Sequence, residues 1–373
     1  MNLRPQTSAL GVFAGARVLV TGHTGFKGAW LCEWLLALGA HVTGYALDPD
    51  TSPALFAQLG LDARMRHIIG DIRAADAVRA VVHETQPDFV FHLAAQPLVR
   101  RSYREARYTW ETNVLGTIHV LDALRDLKRP CAAVMVTTDK CYENREWPFG
   151  YREIDQLGGH DPYSSSKAAA ELAIASWRRS FFPAEHPVRI ASARAGNVIG
   201  GGDWAEDRIV PDAVRALSRG EAVHVRNPGA TRPWQHVLEP VSGYLAIAAG
   251  LAARPHDRAI TAAFNIGPDA EANRTVRQLV ETALEHWPGK WCDGSQPGAP
   301  HEAGLLQLDS SRIRTVLGWR PTWKFPVAVA RTIAWYRNAL SDTVRADPRQ
   351  LTLDDIRAYE ADALTQGINW THA

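Results

Sequence analysis

No apolar run in this chain approaches the roughly 18 residues that a membrane-spanning helix needs. The stretch from Met1 to Gly15 also lacks a charged start leading into an apolar segment, so a soluble, unprocessed chain is expected. Cysteine is scarce. Cys32, Cys131, Cys141 and Cys292 are scattered, with no CxxC pair and no histidine spacing of a zinc site. That argues against a disulfide scaffold or a metal centre and for reduced thiols in the cytoplasm. Charge of either sign is not in excess: 41 basic and 40 acidic residues give a formal net charge of +1. Neither nucleic acid nor an anionic membrane is therefore expected as a partner. Lysine is rarest among the bases, with six, at 27, 128, 140, 167, 290 and 324, against 35 arginines. Lysine is a compact charge whose pKa shifts readily, and three of the six fall inside the motifs below.

What is present is ordinary for a globular protein: 373 residues, 46% hydrophobic and 22% charged, enough for one or two domains. From Ala16 to Gly202 short β-rich runs alternate with amphipathic helical stretches, the pattern of βαβ units around a parallel sheet. Six strands are predicted: 17–21, 41–45, 66–69, 89–93, 133–137 and 188–192. They give an α/β fold, a Rossmann-type doubly wound parallel sheet. After Gly202 the rhythm breaks into a region rich in proline, glycine and tryptophan. Residues 1–202 are expected to form the dinucleotide-binding domain, and residues 203–373 mostly a smaller α/β substrate-binding domain. The helical stretch within 238–260 is expected to pack back on the larger one.

Ligands of such sheets bind beyond the carboxyl ends of the strands, which is where the unusual residues stand. Gly22-His-Thr-Gly25-Phe-Lys-Gly28 follows the first strand and opens a helix. Glycines there permit a tight turn and let a pyrophosphate approach backbone N–H groups, and Gly22, His23, Gly25, Phe26, Lys27 and Gly28 are the expected cofactor loop. His23 and Lys27 could donate to phosphate or substrate, or simply be solvated. Asp48 lies where a ribose ligand is expected but is followed by Pro49, so NAD is favoured over NADP without being fixed. Asp71 and Ile72 after the third strand should border the adenine, and Ala94 and Ala95 after the fourth should lie beside the cofactor.

Tyr163-Ser-Ser-Ser-Lys167 begins a helix behind Asp161-Pro162, a cap and a first-turn proline. Residues four apart share a face, so phenol and ammonium can point into one cleft. A phenol is a poor base at neutral pH. Positive charge from Lys167 and an oxidised nicotinamide is expected to lower its pKa so that it takes a hydroxyl proton as hydride leaves. At the end of the fifth strand stands Thr137-Thr-Asp-Lys140. Thr138 can bond a substrate hydroxyl or the tyrosine oxygen, while Asp139 and Lys140 are either an acid and base for a second step or a strand-end salt bridge.

Together these residues resemble the extended short-chain dehydrogenase/reductase superfamily, and within it the CDP-glucose 4,6-dehydratases. The generic part of the likeness is GxxGxxG, Asp71-Ile72, Asn113-Val-Leu-Gly-Thr117 and Tyr163 with Lys167. The specific part is Gly22 to Gly28, Ala95-Gln-Pro-Leu-Val-Arg100, Thr138-Asp-Lys-Cys-Tyr142, Arg194 to Trp204, Asp207-Arg-Ile-Val-Pro211 and Arg232-Pro-Trp-Gln-His-Val237. The resemblance implies an NAD-dependent, three-step dehydration of a nucleotide sugar, CDP-glucose, within deoxysugar biosynthesis. C4 is oxidised with Tyr163 as base, water is lost across C5 and C6, and C6 is reduced, giving CDP-4-keto-6-deoxyglucose. In the dTDP-glucose dehydratases that resemble it the triplet reads Thr-Asp-Glu. Here Asp139 keeps the place of the acid, and Lys140 in the glutamate position is either a neutral base at C5 or a cation that stabilises the enolate. The resemblance also implies that Gln96, Asn197, Arg208, Arg226, Arg232 and His301 hold the substrate, and that the chain forms a homodimer or homotetramer. An epimerase or decarboxylase of the same superfamily, or an NAD-sensing protein without turnover, are the alternatives.

Overall fold

The β-rich runs assemble into one parallel sheet in a computed structural model that describes residues 8–295, 305–341, 345–368 and 370. Its strands are β1 (Arg17–Thr21), β2 (His41–Ala46), β3 (Arg66–Ile69), β4 (Phe89–His92), β5 (Cys131–Val136), β6 (Val188–Ala195) and β7 (Ala263–Ile266), in the order β7-β6-β5-β4-β1-β2-β3. Every pairing is parallel. Six of these are the strands that the sequence pattern predicts, and they have the doubly wound order. The seventh is a correction. Ala263-Phe-Asn-Ile lies past the break in rhythm, outside the alternation of short runs and helical stretches that marks the other six. It nevertheless pairs with β6, Ala263 opposite Ser192 through Ile266 opposite Ala195.

Parallel strands covered on both faces read as unbroken apolar runs, and β5 and β6 are buried along their whole length. One face of the sheet carries α1 (Phe26–Ala37) and α5 (Leu238–Ala253); the other carries α2 (Ala75–Thr85), α3 (Gly116–Arg125) and α4 (Pro162–Phe181). Helix α5 lies on β5 and β6 and is apolar on nearly all sides, because its outer surface is covered in turn by the C-terminal residues. Trp319 donates to Ser242, while Glu239 accepts from the backbone N–H groups of Thr322 and Trp323 and from the Tyr359 hydroxyl.

Three short strand pairs stand beyond the carboxyl ends of the sheet: Val198–Ile199 with Gln235–His236, Val223–Val225 with Trp291–Asp293, and Thr231–Pro233 with Asn273–Thr275. They form a wall that faces the loops leaving β1 to β6. Among the described residues no helix is long and apolar enough to cross a membrane.

Candidate active site

Between the strand-end loops and that wall runs a cleft of about 1330 Å³. This exceeds the 300–1,000 Å³ or so of a pocket for one small ligand and leaves room for two. Each of the first six strands contributes residues that follow it: Gly22 and Thr24 to Gly28, Leu47 and Asp48, Gly70 to Ile72, Leu93 to Arg101, Thr137, Thr138, Lys140 and Tyr142 to Glu146, and Gly196 to Gly200.

The glycine loop has the shape of a phosphate cradle. Gly22 adopts φ +76°, and a Cβ there would stand 2.6 Å from the backbone nitrogen of Ala94, so both the conformation and the approach of the β4 loop require glycine. A Cβ on Gly28 would strike the Gly22 carbonyl, whereas one on Gly25 would meet it only at 3.5 Å. No side chain caps α1 at Gly25, which leaves the helix N-terminal N–H groups open to an anion. Asp71, Ile72, Ala94 and Ala95 line the same end of the cleft, Asp71 held well below the usual carboxylate range by its hydrogen bonds from Arg73. Asp48 is exposed at its rim.

The His23 side chain is elsewhere. It is fully buried, turned away from the cleft, with Nε2 2.6 Å from Nδ1 of His67 and its ring edge-on to Phe56 at 5.3 Å. Gly44 makes this possible, since a Cβ there would run into the imidazole. Burial, together with His67, pulls its pKa to about 3, so the ring is a neutral packing element and only its backbone belongs to the loop. Lys27 does face the cleft. Burial lowers it to about 7, helped by the charges of Arg208, Lys167 and Lys140 and opposed by Asp139.

Helix α4 begins as its sequence predicts. Asp161 accepts from the backbone N–H groups of Tyr163 and Ser164, 3.0 Å each, with Pro162 in the first turn. The Tyr163 N–H also donates to Ser102, tying α4 to the segment after β4. Tyr163 and Lys167 are both buried. Burial pushes the phenol up to about 12, outweighing the hydrogen bond of Thr138 and the charge of Arg208, so the positive charge of a nicotinamide is needed to bring it down. Lys167 moves down to about 8 through burial, with Glu171 opposing. Its ammonium is 3.4 Å from the Val136 carbonyl.

Thr138 links Tyr163 to the acid beside it, since its hydroxyl donates to Asp139 Oδ1 at 3.0 Å. Asp139 is 1% exposed and its Oδ2 has no hydrogen-bond partner. A Cβ at Gly196 would come within 2.8 Å of that oxygen, so the glycine after β6 leaves it room. Lys140 stands 3.7 Å from Asp139 Oδ1 and donates to Asn197 Oδ1 at 3.1 Å. The two form a strand-end ion pair in which Lys140 lines the cleft and Asp139 is buried behind it. What the arrangement provides is a buried phenol, a hydroxyl and three lysine amines lining the cleft, with a buried carboxyl behind the hydroxyl that keeps one oxygen unbonded.

Two supporting groups are not singled out by sequence reasoning. Glu171, four residues after Lys167 and thus on its face of α4, accepts from Thr137, Ser192 and Arg194 at 2.5, 2.9 and 2.7 Å. Burial opposes its ionisation, but Arg194 and the two hydroxyls hold its carboxyl below the usual range. The i+4 spacing from Lys167 was the available signal. His92, at the end of β4, bridges Thr21 and Thr117 and is kept neutral by burial, near 3. Asn113 sits in a π-helical turn, Glu111–Leu115, and joins the Gln96 backbone to Ser166 of α4.

On the substrate side the predicted residues separate. Asn197, Arg208, Arg226 and Arg232 line the cleft, Arg208 paired with Asp203 at 2.8 Å and Arg226 with Asp207. Gln96 also borders it, but its amide is turned inward, donating to Leu98 and Thr109 and accepting from Leu98, which makes it a brace of the loop. His301 lies outside the described residues. Among the described residues no group of three or more His, Cys, Asp or Glu is placed to hold a metal ion.

A family model described as GDP-mannose 4,6 dehydratase matches residues 19–332. The chain belongs to this family. Within the GDP-mannose 4,6 dehydratase family it is 47% identical to a CDP-glucose 4,6-dehydratase of Salmonella typhimurium, over 87% of this chain and 91% of that one. It is 31% identical to a dTDP-glucose 4,6-dehydratase of Streptomyces griseus, over 86% and 93%. A crystal structure of a dTDP-glucose 4,6-dehydratase from Streptomyces venezuelae with NAD bound superposes with a TM-score of 0.72 at 26% identity, covering 86% of this chain and 97% of that one. A UDP-glucose 4-epimerase of Thermotoga maritima, at 22% identity and a TM-score of 0.72 over 87% and 99%, shares the fold.

Proposed function

We propose that this chain is an NAD-dependent CDP-glucose 4,6-dehydratase, a hydro-lyase that makes CDP-4-keto-6-deoxyglucose. The observation that carries the reading is the hydrogen-bonded run from Tyr163 through Thr138 to the buried Asp139, beside Lys140. A plain dehydrogenase or an epimerase has no use for its carboxyl end. The 47% identity with a CDP-glucose 4,6-dehydratase favours cytidine as the base.

The residues present fit NAD: the uncapped head of α1 and the close-set Gly22, Gly25 and Gly28 would take its diphosphate, with Phe26, Asp71, Ile72, Ala94 and Ala95 along its length. When bound, NAD supplies a hydride acceptor for C4 and later a hydride donor for C6. Tyr163 takes the C4 hydroxyl proton, its ionised form favoured by the charge of Lys167 and the cofactor. Thr138 passes that proton to Asp139, whose carboxyl protonates the departing C6 hydroxyl, so one proton taken in the first step is used in the second. Lys140, held by Asn197, sets a positive charge beside the enolate that loss of the C5 proton creates. Arg208, Arg226 and Arg232 bind the sugar diphosphate, for which the planar guanidinium fork is suited.

A homodimer is expected through the exposed apolar side chains Trp110, Leu115 and Leu172, which lie on neighbouring helical segments. The deciding experiment is incubation of the purified protein with CDP-, dTDP-, GDP- and UDP-glucose, followed by mass spectrometry. Loss of one water, fastest with CDP-glucose, is the expected result. An isomer of unchanged mass would mark an epimerase, and no water loss from any substrate would sink the reading.

A further inference from the structure

Lys27 stands apart from the other cations of the cleft. It occupies the second position of α1, inside the glycine loop, with its side chain lining the cleft. Around it lie Arg208, Asp139, Lys167 and Lys140, three like charges and one opposite. It makes no hydrogen bond and no ion pair with the described residues, whereas Arg208 has Asp203, Lys167 has the Val136 carbonyl, and Lys140 has Asn197 and Asp139.

Resting on the dehydratase reading, we propose that Lys27 is the base that removes the C5 proton, and that Lys140 remains the cation beside the enolate. A general base must hold a lone pair before the reaction, so the amine must be the one that parts with its proton most easily. Desolvation and three neighbouring cations favour the free amine at Lys27, which is poised near neutrality at about 7. Lys140 is placed for the other role, because its N–H groups already have acceptors that stabilise the ammonium.

The step balances within the site. The C5–H bond breaks, its proton goes to Lys27 Nζ, and its electron pair becomes the C4–C5 enolate. As the carbonyl re-forms, C5 and C6 become doubly bonded, and the C6 oxygen leaves as water with the Asp139 proton. After C6 is reduced, the Lys27 ammonium returns its proton to C5.

The test uses the NAD-loaded enzyme and CDP-glucose in deuterated water, with Lys27→Met, Lys27→Arg and Lys140→Met. Lys27→Arg keeps size and charge but cannot act as a neutral base, so it remains informative if Lys27→Met fails to fold. Expected for Lys27→Arg is full NAD content by release assay, retained C4 oxidation, and C5 deuterium exchange slowed at least about 100-fold. Lys140→Met should slow dehydration yet retain C5 exchange. In the wild type the exchange rate should fall as pH drops below about 7, where Lys27 becomes protonated. Wild-type C5 exchange in Lys27→Arg would overturn the proposal, as would an NAD-depleted Lys27→Arg whose full rate returns on adding NAD. Absence of water loss in the wild type would overturn the dehydratase reading itself.

Discussion

Replacing Glu171 with glutamine keeps the shape of the side chain and removes one charge from beneath the catalytic helix. In the native protein this carboxylate is 2% exposed and receives donors from Thr137, Ser192 and Arg194, the last itself 4% exposed. Removing one member of a buried pair typically costs about 3–5 kcal/mol, because the other charge stays desolvated. A glutamine oxygen in the place of Oε2 still accepts from Ser192 and Arg194, which places the expected loss near the lower end, about 3 kcal/mol by guanidinium denaturation. The carboxyl is held below its ordinary pKa, so its contribution is present above the unfolded value and is lost as pH falls through the folded one. The gap between wild type and Glu171→Gln should therefore be widest at neutral pH and close in acid. A second effect reaches the chemistry. Glu171 is what opposes the fall of Lys167, whose pKa is about 8, so without it the ammonium is lost at lower pH. The alkaline limb of kcat for C4 oxidation should shift downward in Glu171→Gln and return in Glu171→Asp. An unmoved alkaline limb with an unchanged denaturation midpoint would refute the account of Glu171.

Tyr163→Phe removes only the hydroxyl, and C4 oxidation should fall by about 10²–10⁴ with NAD content and the thermal midpoint preserved; stopped-flow absorbance of the reduced cofactor measures this. Gly44→Ala forces a methyl group against the His23 ring and should cost roughly 1–3 kcal/mol of stability, read by thermal unfolding, while the kinetic constants of the folded fraction stay near wild type. Asn113→Ala leaves the Gln96 N–H without a buried partner, at about 1–3 kcal/mol, removes the donor to the Ser166 hydroxyl, which still donates to the Tyr163 carbonyl, and should lower kcat through displacement of α4; a crystal structure of the variant would check the displacement.

The six strands and the head of α4 were legible because they rest on local signals, apolar runs of four or more residues bounded by turns and an Asp-Pro cap before Tyr163. The catalytic space was legible for a different reason: strand ends of a doubly wound sheet converge, so Thr138, Asp139 and Tyr163 could be brought together from topology alone. What failed depended on burial. The direction of His23 is set by Gly44 and His67, 21 and 44 residues away, and no local pattern reports that a ring will turn behind the loop that carries it. Burial also acts on the Tyr163 phenol, where desolvation outweighs the Thr138 hydrogen bond and the Arg208 charge. Strand β7 escaped because it lies past Gly202, outside the alternation of short runs and helical stretches that marks the other six.

That last strand has a consequence for how the protein is made. β6 is eight residues long, buried throughout, and its outer edge is satisfied only by residues 263–266. A ribosome that has released the first 200 residues has therefore exposed a flat apolar edge ready to pair with any other strand, and it must synthesise about 70 more before the native partner emerges. Expression of an isolated 1–202 fragment should yield aggregates, and a chaperone-depleted host should lose the full chain for the same reason.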